Sequence, residues 1–222
     1  MNAERTVSVF DFDGTLVHGD SVTRFAVAYL ARRPGRLLFM LPFLPASVAL
    51  LPFHATRTPG VALFWWALTC GTRTRPFVAA LRAFAETTLA EHVNETTFAE
   101  LAARLSRDED VVVATAAPSV IVHGLLHARG LRGARVVGTR CVRRFGGLVP
   151  SPHCIGATKV TELRRRFGLE AWTEVYTDSA FDLPIVLRAA SVTLVEPSRS
   201  TLGRVERALT SGVPLRVLRR VT

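Results

Sequence analysis

Lysine is nearly missing from this 222-residue chain: of its 28 basic residues 27 are arginine, and Lys159 stands alone. So uniform a bias reads as coding composition rather than as a surface built for nucleic acid, and it makes the one lysine informative. A compact ammonium is expected where a planar guanidinium would not serve. Cysteine is scarce as well, and Cys70, Cys141 and Cys154 are too few and odd in number for a disulfide scaffold; inert buried thiols are expected instead. No apolar run reaches the ~18 uninterrupted residues of a membrane-spanning helix. After Met1–Thr6 come Asp11 and Asp13 rather than the apolar core of a secretory signal, so the cytoplasmic side is the expected compartment. Apolar residues nevertheless make up 49% of the chain, which excludes disorder. The length fits one domain with an insertion, or two small ones.

Short β-branched runs read as buried parallel strands: Val7–Phe12, Val111–Thr115, Arg135–Thr139, Glu174–Thr177 and Val192–Val195. Helical patterns lie between them, over Ser119–Arg129, Thr158–Phe167, Asp182–Ala190 and Thr201–Thr210. This alternation predicts an α/β fold with a parallel sheet. Cys141–Val149, with Gly146-Gly147 at its centre, reads as a β-hairpin. From Ser21 to Ala90 the rhythm breaks into helical patterns without strand signals, as expected of a helical insertion after the first strand. The predicted division is a core of residues 1–20 and 91–222 and an apolar insertion of residues 21–90.

Aspartate is sparse, with seven residues, and four of them fall in two clusters at predicted strand ends, where open α/β sheets bind ligands. The first is Phe10-Asp11-Phe12-Asp13-Gly14-Thr15. Alternation points Asp11 and Asp13 to one side, away from Phe12, and Gly14 permits a sharp turn whose amides suit an anion. One such carboxylate can attack as a nucleophile while the other moves protons. The second is Tyr176-Thr177-Asp178-Ser179-Ala180-Phe181-Asp182. Its hard oxygens, beside two carboxylates already present, suggest Mg²⁺, with helix capping by Asp178 or Asp182 as the simpler alternative. Thr115 presents a hydroxyl at the same sheet edge, Ala116-Ala117-Pro118 leads to a helix N-terminus suited to phosphate, and Lys159 sits in a first helical turn where only an anion makes it favourable.

In this order, the DFDGT run, Thr115, Lys159 and the Asp178–Asp182 pair resemble the haloacid dehalogenase superfamily of phosphohydrolases, over Val7 to about Val195. The resemblance implies a Rossmann-like parallel sheet core with an inserted helical cap. It implies Asp11 as the nucleophile forming an aspartyl-phosphate, Asp13 as acid and then base, and Thr115 and Lys159 holding the phosphoryl group, with Gly14, Thr15 and Ala116 lining the substrate. Mg²⁺ would be held by Asp11, the Asp13 carbonyl and Asp178, supported by Asp182. Presence of Asp13 favours phosphate esters over haloacids. The arrangement looks like the phosphoserine-phosphatase-like branch, although Ala116-Ala117 replaces common glycines and Phe181 a common asparagine, which points away from a serine phosphate.

Leu37–Phe53 carries no charge over 17 residues, and Val61–Cys70 follows with Trp65 and Trp66; Arg32, Arg33, Arg36 and Arg57 flank the two. A single span would part Asp11 from Thr115, Lys159 and Asp178, so a re-entrant or interfacial helical hairpin at an anionic membrane surface is the expectation for residues 37–70. A soluble cap core or a dimer contact would use the same residues. The stretch Arg36–Arg75 resembles phosphatidylglycerophosphatases of the C type, which implies a lipid phosphate as substrate at the cytoplasmic face of the inner membrane. A small soluble phosphoester, transfer to an alcohol in place of water, and a non-catalytic basic adaptor remain alternatives. The six histidines lack metal-site spacing, Asp20-Ser21 is expected to cap the first inserted helix or orient it over the site, and Arg164-Arg165-Arg166 reads as a solvated helix face.

Overall fold

Period-two alternation decides which layer each strand residue joins. In the computed structural model, which describes residues 6–210 and 212–219 with His54 by its backbone alone, Val7 and Val9 of the first strand face one apolar cluster. Phe10 and Phe12 face the other. The expectation about Met1–Arg5, and the ends of the core range at 211 and 220–222, lie outside the described residues.

The elements run β1 (Val7–Phe10), α1 (Ser21–Ala31), α2 (Pro34–Met40), α3 (Leu44–Leu50), α4 (His54–Thr69), α5 (Thr74–Glu86), α6 (Glu95–Ser106), β2 (Asp110–Pro118), α7 (Ser119–Ala128) and β3 (Arg135–Thr139). Then come β4 (Cys141–Arg144), β5 (Gly147–Pro150), α8 (Ala157–Phe167), β6 (Trp172–Thr177), α9 (Leu183–Val186), β7 (Ala189–Val195), α10 (Arg199–Ala208) and β8 (Leu215–Leu218). Six strands form one parallel sheet in the order β3-β2-β1-β6-β7-β8, and β4-β5 is a separate antiparallel hairpin, as expected. The order reverses between β1 and β6. A crevice opens at such a switch point, outside the carboxyl ends of the strands.

Helices cover both faces. Leu163 of α8, Ile185 of α9 and Val205 of α10 pack on one; Phe98 of α6 and Ile121 of α7 pack on the other, together with Phe25, Leu68 and Phe77 of the inserted helices. Two glycines set how closely the insertion docks. A Cβ at Gly124 would meet Ala85 Cβ at 3.0 Å, bringing α5 onto α7. One at Gly147 would meet the Trp66 backbone oxygen at 2.8 Å, and α4 is further tied to the hairpin by the Trp66 indole N–H donating to the Phe145 carbonyl at 2.9 Å.

Several expectations need correction. Strand β2 continues past Thr115 to Pro118, with its pairing to β3 irregular between Ala114 and Pro118. The helix expected over Asp182–Ala190 is one short turn: Ala189 already pairs with Trp172 as β7 begins, so sheet pairing ends the helix. Strand β8 was not expected. The 17-residue apolar run is broken twice: a turn at Pro42 parts α2 from α3, and bends at Pro52 part α3 from α4, so residues 34–70 hold two seven-residue helices and one of sixteen. Among the described residues, no helix is long and apolar enough to cross a membrane. Arg166 is not a solvated residue; it pairs with the buried Glu162 at 2.9 Å. Of the three thiols expected to be buried only Cys154 is, and burial pushes its pKa up to about 12, whereas Cys70 and Cys141 stay partly exposed.

Candidate active site

Strand β1 ends at Phe10, yet the Asp11 amide still donates to the Tyr176 carbonyl at 2.8 Å, so β6 holds the chain in register one residue further. Beneath, the Phe10 and Tyr176 rings stack with centroids 4.2 Å apart. Phe12 is fully buried, and its neighbours Asp11 and Asp13 both reach the cavity at the switch point, as alternation predicts. Gly14 then turns at φ +75°, and a Cβ there would stand 2.2 Å from Asp178 Oδ2. Glycine is needed twice over: for the turn, and for the approach of the Asp178 carboxylate against it.

Lys159 occupies the first turn of α8 and is 2% exposed. Its ammonium lies 2.6 Å from Asp11 Oδ1 and 2.7 Å from Asp182 Oδ1. The Thr177 hydroxyl donates to Asp182 Oδ2 at 2.8 Å and accepts from the Ser179 amide at 3.1 Å, so Asp182 is fixed from both sides. Asp182, expected to support the metal-binding carboxylates, holds Lys159 and the Thr177 hydroxyl with its oxygens.

Charge is crowded here. Burial, then the Asp182 carboxylate, raise the Asp11 pKa well above the usual carboxylate range, with Lys159 pulling it back and Asp178 adding to the rise. Burial opposes the charge on Lys159, but Asp11 and Asp182 outweigh it and the pKa is raised. Asp13 is pushed up to about 7 by burial and by Asp20, against the hydrogen bond it accepts from the Ser21 amide at 2.7 Å. Asp178 rises to about 6 through burial and Asp182.

The cavity has a volume of ≈ 320 Å³ and gathers Asp11, Asp13, Thr115, Lys159, Asp178 and Asp182, with Gly14 and Ala116 also on its wall. Thr115 accepts a hydrogen bond from the Ala117 amide at 2.9 Å, which braces the end of β2. Thr15 is the exception among the expected residues. After the Gly14 turn its amide folds back on the Phe12 carbonyl, and its side chain is fully buried, off the cavity, with no hydrogen bond among the described residues.

Sequence reasoning missed two supports. Asp20 caps α1 by accepting from the Thr23 amide at 2.6 Å, as expected, but the adjacent Ser21 amide holds Asp13. Thr177, which fixes Asp182, stood inside the second acidic cluster without a role. An alcohol next to an acid at a strand end was its available signal.

The donors suit a hard divalent cation. Three carboxylates, Asp11, Asp13 and Asp178, all carry raised pKa values around one ammonium, an excess of buried negative charge that such a cation relieves. Among the described residues, no three His, Cys, Asp or Glu side chains form a ready-made metal cluster. A set of two carboxylates and a backbone carbonyl completed by water is the arrangement Mg²⁺ favours.

Solved structures share this fold. A protein of unknown function from Bordetella pertussis Tohama I is 17% identical, with a TM-score of 0.73 over 96% of this chain and 98% of that one. Cytosolic 5'-nucleotidase IIIB bound to cytidine is 14% identical, with a TM-score of 0.68 over 99% and 82%. Phosphoserine phosphatase in its apo form is 14% identical, with a TM-score of 0.57 over 96% and 94%. At these identities the likeness is one of fold. Residues 8–186, which carry both acidic clusters, Thr115 and Lys159, match the haloacid dehalogenase-like hydrolase family, and the chain belongs to it.

Proposed function

We propose that this hydrolase is a Mg²⁺-dependent phosphatase that cleaves phosphate monoesters through an aspartyl-phosphate. The observation that carries the reading is the pairing at the switch point: Asp11 tied by Oδ1 to Lys159 at 2.6 Å, beside Asp13 with its pKa near 7. The Lys159 contact leaves Asp11 Oδ2 to attack phosphorus. As that P–O bond forms, the ester P–O bond breaks, its electron pair goes to the leaving oxygen, and protonated Asp13 supplies the proton. Asp13, now a carboxylate, takes a proton from water while the water oxygen attacks phosphorus. The Asp11–phosphoryl bond then breaks, phosphate leaves and Asp11 is restored. A group titrating near 7 serves both as acid and as base at neutral pH.

Lys159 and Thr115 hold phosphoryl oxygens, and Asp182 positions Lys159. Asp11, the Asp13 carbonyl and Asp178 would hold Mg²⁺, which supplies positive charge to the transferring group. Helices α1–α5 serve as the cap.

The same reading extends to a lipid phosphate. Leu38 and Phe53 are 70% and 66% exposed, with Leu37, Phe39 and Leu41 beside Leu38. Arg32 and Arg33 lie exposed at the approach to α2. An apolar face edged by arginine suits an anionic membrane surface. Together with the resemblance of Arg36–Arg75 to phosphatidylglycerophosphatase C, this supports phosphatidylglycerophosphate as the substrate. Phosphate release from that lipid in detergent micelles, against soluble phosphoesters, is the test. It is run with Mg²⁺ or EDTA and with Asp11→Asn beside the wild type. Mg²⁺-dependent, Asp11-dependent release that favours the lipid is expected. Release that survives EDTA or the substitution refutes the mechanism, and equal use of soluble esters refutes the lipid substrate.

A further inference from the structure

The carboxylate cavity does not end at Asp13. A second recess of ≈ 390 Å³ shares Asp13, Asp20 and Ala116 with it and lies between α1, α3 and α4. Its wall is largely apolar, built from Val22, Leu44, Val48, Leu51, Phe64 and Trp65. A Cβ at Gly60 would meet both the Ser47 carbonyl and Leu50 Cβ at 2.9 Å, so α3 and α4 are pressed together and close one side. His153, also on the wall, bonds through Nδ1 to the Thr58 hydroxyl at 3.1 Å. Burial and Arg57 push its pKa down to about 4, so it adds no charge at neutral pH.

Two wall residues also belong to the outer surface. Val48 is 59% exposed and Leu51 36%, on the same stretch as the exposed Phe53. One end of the recess is therefore Asp13, the proton donor to the leaving oxygen, and the other is an exposed apolar face. Water gains nothing in such a space, whereas each methylene placed there is removed from water.

We propose that this recess is the binding chamber for the apolar part of the leaving alcohol, entered past Val48 and Leu51 from a lipid surface. The assignment rests on the phosphatase reading above, in which the leaving oxygen stands beside Asp13. It places chain selection in the α1–α3–α4 chamber rather than at the phosphoryl group, where every monoester presents the same atoms.

Monoalkyl phosphates from ethyl to octyl, kept below micelle-forming concentrations, test it. With Mg²⁺ present, kcat/KM is expected to climb about fourfold per added methylene until the chain fills the chamber. Val48→Trp and Leu51→Trp narrow the entrance, and each is expected to lower the octyl-to-ethyl ratio of kcat/KM by tenfold or more. An independent reading uses the wild-type protein in EDTA: Trp65 forms part of the wall, so ω-bromooctyl phosphate is expected to quench tryptophan emission where bromoethanol does not. A flat chain-length profile with ethyl phosphate still hydrolysed, a ratio unmoved by folded rim variants, or unquenched emission each overturns the chamber and leaves the phosphatase reading standing. Failure of every ester to give Asp11-dependent release overturns the phosphatase reading and takes the chamber with it.

Discussion

Asp13→Asn should make this protein more stable while removing its acid–base group. The Asp13 carboxyl is raised from 3.8 to about 7 by burial and by Asp20, a shift that at 1.36 kcal/mol per unit corresponds to about 4 kcal/mol of disfavoured charge. Asp13 is half-buried, so solvent screening reduces the expected gain to about 2–3 kcal/mol. Asparagine keeps Oδ1 as acceptor for the Ser21 amide, so the bond at 2.7 Å survives.

The sign follows from proton linkage. Between pH 3.8 and about 7 the native state holds the proton that the unfolded chain has lost, so stability falls as pH rises through that window. Below pH 3.8 both states are protonated and the variant gains nothing; above about 7 it gains in full. For a chain of this size the gain corresponds to about 4–12 °C in melting temperature. Thermal melts of both proteins in EDTA, from pH 4 to pH 8, give the measurement. Curves that run parallel across this range, or a variant less stable at pH 8, refute the reasoning.

Lys159→Met leaves the Asp11 and Asp182 carboxylates buried without their cation and should cost about 3–5 kcal/mol in denaturant unfolding at neutral pH. Lys159→Arg, although it matches every other basic residue of the chain, should lower kcat by about 10²-fold or more, because a planar fork does not fit between oxygens at 2.6 and 2.7 Å; wild-type turnover in steady-state assays would refute this. Gly14→Ala drives a methyl into Asp178 and strains a positive φ, so the Mg²⁺ concentration for half-maximal activity should rise about tenfold and stability fall by about 1–3 kcal/mol. Asp20→Ala should lose about 1 kcal/mol of α1 capping in thermal melts and, by removing a neighbouring negative charge, move the alkaline limb of the pH–rate profile to lower pH.

The sheet was legible because its central strands are buried on both faces and so read as short β-branched runs. Strand β8 was not: it lies at the sheet edge, and Arg216 interrupts its four residues. The Asp182–Ala190 pattern looked helical because Leu183, Ile185 and Val186 are apolar, and only pairing with β6 turns the chain into β7. At the site, Asp11, Asp13 and Asp178 follow from strand ends, and the lone lysine announced itself through composition. Thr15 is expected to line the substrate beside Gly14, but the turn carries its amide back to the Phe12 carbonyl and leaves its side chain fully buried, which only the folded chain shows. That Asp182 supports the metal-binding carboxylates is an expectation of type alone; its contacts with Lys159 and Thr177 appear only in three dimensions. The Ser21 amide, a backbone group, left no mark in the sequence.

Covalent attack by Asp11 is best tested by stopping turnover in acid within the first cycle and mapping the phosphoryl group by peptide mass spectrometry. With Mg²⁺ and a hydrolysed ester, one phosphoryl group is expected on the peptide bearing Asp11, absent from Asp11→Asn. Turnover at full rate with that peptide unmodified, or with the group on another residue, would contradict the account.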